Sequence, residues 1–82
     1  MQKFTGLIFE ENGWHIAQCV ELDIASQGNT AQEAFDNLQE AMTLHLQAPS
    51  SRDTTKAFAD SIEDARKIYP AAKLVQWDQN DG

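Results

Sequence analysis

The chain predicts an α+β domain: a three-stranded antiparallel meander with one packed amphipathic helix, then a C-terminal helix and a short strand. Three observations predict it. Two alternating apolar runs, over 3–10 and 14–20, flank Asn12-Gly13, a pair that favours a two-residue hairpin because both residues tolerate positive φ. Thr30 followed three residues later by Glu33 forms a capping-box pattern, and it opens a run whose apolar residues recur at helical spacing. Pro49 and Pro70 then bracket a second helical pattern and leave a short β-like run behind them. All 82 residues are read as a single domain, with its core over 3–47 and an extension over 48–82. A chain this short buries a modest core, which self-association supplements.

In the first run, Phe4 and Ile8 share one face and Leu7 and Phe9 the other. In the returning run, Trp14, Ile16 and Val20 fall on one face and His15, Ala17 and Cys19 on the other. Residues 22–26 form a third, weakly marked strand with Leu22 and Ile24 facing one way, followed by a glycine turn at Gly28. Thr30 accepts from the backbone N–H of Glu33, whose side chain reaches back to the N–H of Thr30. The helix runs over 31–47. Ala31, Ala34, Phe35, Leu38, Ala41, Met42, His45 and Leu46 form its apolar stripe; Gln32, Glu33, Asp36, Gln39, Glu40 and Thr43 lie outside it. Leu44 falls off the stripe and is a candidate exposed contact.

Residues 48–53 read as a linker. Thr54 or Thr55 caps a second helix that runs to Tyr69, with Phe58, Ile62, Ala65 and Tyr69 on one face and Pro70 as its stop. Residues 73–78 form a short strand with Val75 and Trp77 on one face, and 79–82 a frayed polar tail. On this reading Leu7, Phe9, Ala17 and Cys19 leave the sheet face away from the first helix partly apolar. The C-terminal helix or a second subunit covers it.

Thirteen acids stand against 6 bases, for a net charge of −7. That argues against nucleic-acid binding through a basic face, since phosphate contacts need clustered Lys and Arg. The acidity suits either a solvated surface or a basic protein partner. Cys19 is the only cysteine, so no intrachain disulfide forms, which fits a reducing cytoplasm. The N-terminal residues begin no long apolar run, so no secretory signal is expected, and no stretch approaches the roughly 18 apolar residues of a membrane span.

Few residues carry reactive chemistry. His15 and Cys19 pair a base with a nucleophile by type, yet four residues along a strand span about 13 Å, far beyond hydrogen-bond reach. Cys19 is read as a small apolar sheet residue. His45 sits in the helical stripe as a core or interface residue. A metal site needs His15, Cys19 and His45 to converge, or one of them to meet carboxylates. Glu21 and Asp23 flank Leu22 on one strand face, where they bind a cation weakly or stand solvated. Trp77 is the better interface candidate of the two tryptophans. No catalytic, cofactor or metal residue is assigned. The candidates for partner binding are Leu44, Trp77, Val75, Glu21 and Asp23.

The order strand, Asn-Gly hairpin, strand ending Ala17-Gln18-Cys19-Val20-Glu21-Leu22-Asp23, then Ser26-Gln27-Gly28-Asn29-Thr30 and Glu33-Ala34 with Asn37-Leu38-Gln39-Glu40-Ala41 resembles the HicB family over residues 3–47. The Gly-x-Thr-x-x-Glu-Ala element stands here as Gly28 to Ala34. These proteins are the antitoxin halves of toxin–antitoxin pairs. The resemblance implies a partial, degenerate RNase H-like fold, silencing of a small HicA-type messenger-RNA-cleaving toxin, and self-association. Members that repress their own operon carry a C-terminal DNA-binding domain. The 35 residues after Gln47 are not basic and show no such unit. Where the family often has proline and glycine before its third strand, this chain has Val20-Glu21-Leu22-Asp23-Ile24, closer to stand-alone members. The expectation is a non-enzymatic, cytoplasmic, homodimeric HicB-like antitoxin or orphan relative with no cofactor. The alternatives are a metal-dependent RNase H-like hydrolase using Glu10, Glu21 and Asp23, and a ligand-responsive regulatory domain.

Overall fold

The computed structural model describes residues 2–47 and 58–79. Its elements are β1 (Gln2–Glu11), β2 (Trp14–Cys19), β3 (Ala25–Gly28), α1 (Ala31–Gln47), α2 (Ile62–Ile68) and β4 (Lys73–Gln79). The strands form one antiparallel sheet in the order β3-β2-β1-β4, so the fold is α+β and the last strand returns to pair with the first.

Asn12 (φ 53°) and Gly13 (φ 83°) both take the left-handed conformation that a two-residue hairpin loop demands. That loop sets Glu11 against Trp14, and every pair behind it follows: Ile8 against Ala17, Gly6 against Cys19. Opposed residues share a face. Ala17 and Cys19 therefore stand with Phe4 and Ile8 beneath α1, not with Leu7 and Phe9 as the strand-by-strand alternation expects. Phe4, Ala17, Cys19, Ala34, Leu38, Met42 and Trp77 make the core on the α1 side, bordered by Ile8, Leu22, Ile24, Phe35 and Val75. The other face holds a second core of Leu7, Val20, Ala65 and Ala72, bordered by Phe9, Phe58, Ala59 and Tyr69. Phe9 and Tyr69 stack there with ring centroids 3.8 Å apart. Both cores include residues beyond position 47, so the C-terminal elements are integral to the domain.

α1 opens as its residues dictate, with one shift. The N–H of Glu33 donates to Thr30 Oγ1 at 3.0 Å. Glu33 Oε1 accepts from the N–H of Asn29 at 3.2 Å, one residue upstream of the expected Thr30. Gly28 ends β3 hard against this turn: a Cβ there would lie 2.7 Å from the backbone nitrogen of Ala34. Ala34, Leu38 and Met42 are fully buried. Asn37 Nδ2 donates to Gln27 O at 2.9 Å and ties the helix to β3.

Three boundaries differ from the sequence expectation. β3 begins at Ala25 rather than Leu22, because the stretch before it folds on itself: Ile24 N–H donates to Leu22 O at 2.8 Å, and Cys19 N–H to Ile24 O at 2.9 Å. Leu22 and Ile24 still pack into the α1-side core. α2 begins at Ile62, where Ser61 Oγ accepts from Asp64 N–H at 3.1 Å. The linker at 48–53 and the expected caps Thr54 and Thr55 lie outside the described residues. Gln79 is not part of a frayed tail but the buried last residue of β4; residues 80–82 lie outside the described residues. No described helix is long and apolar enough to cross a membrane.

Candidate functional site

The sharpest local chemistry lies where β2 leaves the sheet. Val20 N–H donates to Thr5 O at 2.8 Å, as an antiparallel ladder requires. The Val20 carbonyl, however, turns to accept from Phe58 N–H at 3.0 Å. Thr5 N–H is left to donate to Glu21 Oε1 at 2.8 Å. A side-chain carboxylate thus replaces a backbone carbonyl in the ladder, and the released carbonyl docks the segment leading into α2. Close by, Gln18 Nε2 donates to Cys19 O (3.0 Å) and Asp23 Oδ1 (3.3 Å). Glu21 and Asp23 therefore lie on a bend and not on one strand face, and each has an oxygen engaged in holding that bend.

Cys19 is sealed beneath α1. Burial pushes its thiol up to about 11, against a lowering backbone hydrogen bond with Leu22 and with a raising contribution from the Glu21 carboxylate. Such a thiol stays protonated at neutral pH and is a poor nucleophile. His15 is not brought to it. The His15 ring meets Asn29 O through Nδ1 at 3.2 Å and Glu10 Oε1 through Nε2 at 3.4 Å. Among the described residues, no group of three or more His, Cys, Asp or Glu side chains is placed to hold a metal ion.

Trp77 is a core residue and not an exposed anchor, with 8% of its surface exposed. Its ring lies 6.1 Å from that of Phe4 and meets Phe35 edge-on at 5.2 Å. Gly6 makes the room: a Cβ there would sit 3.0 Å from the indole. The reason is topological, since β4 pairs with β1 at the sheet edge and carries Trp77 beneath α1. Val75 is half-buried beside it. Leu44 is 61% exposed, on a helix whose outer side also exposes Glu33, Asp36 and Glu40.

α1 leans over β2 and β3 more than over β1 and β4. A groove is left between the helix and β4, lined by Ile8, Ala31, Phe35 and Val75 with Lys73 and Gln76 at its rim. Local sequence pattern gives no sign of this groove, because it depends on which strand β4 joins.

These features describe a small α+β domain with sealed core chemistry and an acidic, partly apolar exterior. A family of unknown function, DUF7387, matches residues 3–67, and the chain belongs to that family. No curated protein and no solved structure matches the chain.

Proposed function

We propose that this chain is a HicB-like antitoxin or an orphan relative that acts in the cytoplasm by binding another protein, with a basic HicA-type messenger-RNA-cleaving toxin as the candidate partner. The observation that carries the reading is where the reactive groups are used. Glu21 and Asp23 hold a backbone bend, and Cys19 is buried with its proton retained. The exterior, by contrast, offers Leu44 among Glu33, Asp36 and Glu40 on a chain of net charge −7. A negative field of this size attracts a basic RNA-binding face, and an exposed leucine gives such a contact an apolar centre. The order of elements also supports the reading: apart from α2, three antiparallel strands, a helix and a further strand follow one another, the arrangement the HicB resemblance implies.

Co-purification of the tagged chain from its native host tests the proposal. The expected outcome is a small basic protein whose ribonuclease activity the chain suppresses. Its binding weakens at least about tenfold between roughly 50 and 500 mM salt, as a contact made largely by opposite surface charges does. Leu44→Ser weakens it without moving the melting temperature. RNA cleavage by the chain alone that requires magnesium or manganese, and that Glu21→Gln abolishes, would overturn the proposal.

A further inference from the structure

β1 outruns its neighbour β4. It continues to Glu11, whereas its pairing with β4 stops at Ile8 opposite Lys73. Val20 N–H donates to Thr5 O, so Thr5 and every second residue beyond it, through Glu11, turn their backbone groups toward β2. The alternate residues turn theirs the other way. Among these Glu10 has no described strand beside it, and its N–H and C=O point past the start of β4. At this corner a cleft of about 230 Å³ lies between residues 9–11 and residues 68–72, the turn from α2 into β4. Phe9 and Tyr69, stacked on one another, form its apolar wall. Glu11 stands two residues beyond Phe9 on the same face, directly across from Trp14, which is 44% exposed. Glu10 turns its carboxylate to His15 Nε2 at 3.4 Å, so Glu11 is the acid left to the cleft. No base is among the lining residues: Arg66 and Lys67 border a neighbouring hollow with Glu63, and Lys73 stands with Ile8 on the α1 face.

We infer that this corner takes an arginine side chain carried on an extended segment of a partner protein. Size selects a side chain: the cleft is smaller than the roughly 300–1,000 Å³ of small-molecule pockets. Charge and ring chemistry select the residue. The apolar stem of an arginine lies along Phe9, Tyr69 and Ile68, while its guanidinium reaches the Glu11 carboxylate and stacks on the open face of the Trp14 indole. A carboxylate beside an exposed indole, with no base in the lining, favours a cation over an anionic or neutral side chain. The backbone of the segment supplies the partners that Glu10 N–H and C=O lack, as an added strand does. This inference deepens the binding role proposed above and rests on it for the source of the arginine.

A blocked pentapeptide, Val-Thr-Arg-Val-Thr, titrated into the isotope-labelled chain and followed by NMR tests the corner. The amides of Glu10 and Glu11 and the indole N–H of Trp14 are expected to shift together and to saturate, with a Kd on the order of 1 mM for one bound side chain. Replacing the arginine of the peptide by glutamine is expected to weaken binding at least about threefold, and so are Glu11→Gln and Trp14→Leu in the chain. Glu11 and Trp14 are exposed, so both variants are expected to keep the wild-type circular dichroism. No shift at several millimolar peptide, shifts centred elsewhere, equal binding of the glutamine peptide, or undiminished binding by Glu11→Gln would each overturn the assignment. A toxin captured from the host that binds Glu11→Gln and Trp14→Leu as tightly as wild type overturns the arginine cleft and leaves the antitoxin reading intact. Saturable peptide binding at the cleft by a chain that captures no toxin supports the cleft and overturns the antitoxin reading.

Discussion

Replacing Gln79 by leucine removes a buried amide that closes a chain of hydrogen bonds between β4 and α1. Trp77 Nε1 donates to Gln79 Oε1 at 2.8 Å. Gln79 Nε2 donates to Thr43 Oγ1 at 2.6 Å and to Gln39 O at 3.3 Å. The Thr43 hydroxyl in turn donates to Gln39 O at 3.0 Å. Leucine keeps the approximate bulk but orphans the indole N–H of a side chain that is only 8% exposed. An unpaired buried donor costs about 1–3 kcal/mol, and each lost neutral hydrogen bond about 0.5–1.5 kcal/mol, while the Thr43 hydroxyl keeps its bond to Gln39 O. The expected loss is therefore about 2–4 kcal/mol, or a fall in Tm of roughly 10–25 °C in a domain this small. Urea unfolding followed by tryptophan fluorescence measures it. Adding Trp77→Phe removes the orphan, so the double variant is expected to lose about 1–2 kcal/mol less than the two single losses summed. A cost below about 0.5 kcal/mol for Gln79→Leu would show that residue 79 contributes nothing and would refute the reasoning.

Two further outcomes follow from single contacts. Gly28→Ala drives a methyl group to 2.7 Å from the backbone nitrogen of Ala34, which a packed helix turn cannot yield; a loss of about 1–3 kcal/mol in thermal unfolding is expected, and unchanged stability would contradict the close approach. Cys19 keeps its proton to about pH 11 when folded, whereas the thiol ordinarily loses it near 9.0. Between those values the unfolded chain binds fewer protons than the folded one, so stability falls as pH rises through that window; Cys19→Ala is expected to flatten that part of the profile, measured by urea unfolding at each pH.

Local signals in the chain were legible. Asn12-Gly13, the span of α1 and the capping of Glu33 N–H by Thr30 each depend on residues a few positions apart and stand in the structure as read, while the return bond of Glu33 goes to Asn29 and not to Thr30. The facing of Ala17 and Cys19 is encoded locally too, since the two-residue loop carries parity from β1 into β2. Ser61, three residues before Asp64, was likewise an available cap signal. What local pattern does not encode is pairing at a distance. Trp77 looks like a terminal anchor until β4 is known to join β1. Gln79 looks like a polar tail until its three partners are in place. Glu21 looks like a solvated acid until the Val20 carbonyl turns to Phe58 and leaves Thr5 N–H to be satisfied. The candidate site was less legible than the fold for the same reason: of its five residues, Leu44 was readable as exposed, whereas the surroundings of Trp77, Val75, Glu21 and Asp23 are set by strand order.

β1 is an inner strand of the sheet, and its neighbour β4 follows it by more than sixty residues along the chain. β1 pairs with β4 from Gln2 opposite Gln79 to Ile8 opposite Lys73. A ribosome-bound chain that has emerged only as far as α1 has its hairpin and helix, but the flank of β1 is bare and the space over Gly6 lacks its indole. Contacts so distant along the chain form slowly, and an unpaired flank is open to wrong partners while it waits. Chains stalled before β4 are thus the form most exposed to aggregation, and completion of the fold waits on the emergence of β4.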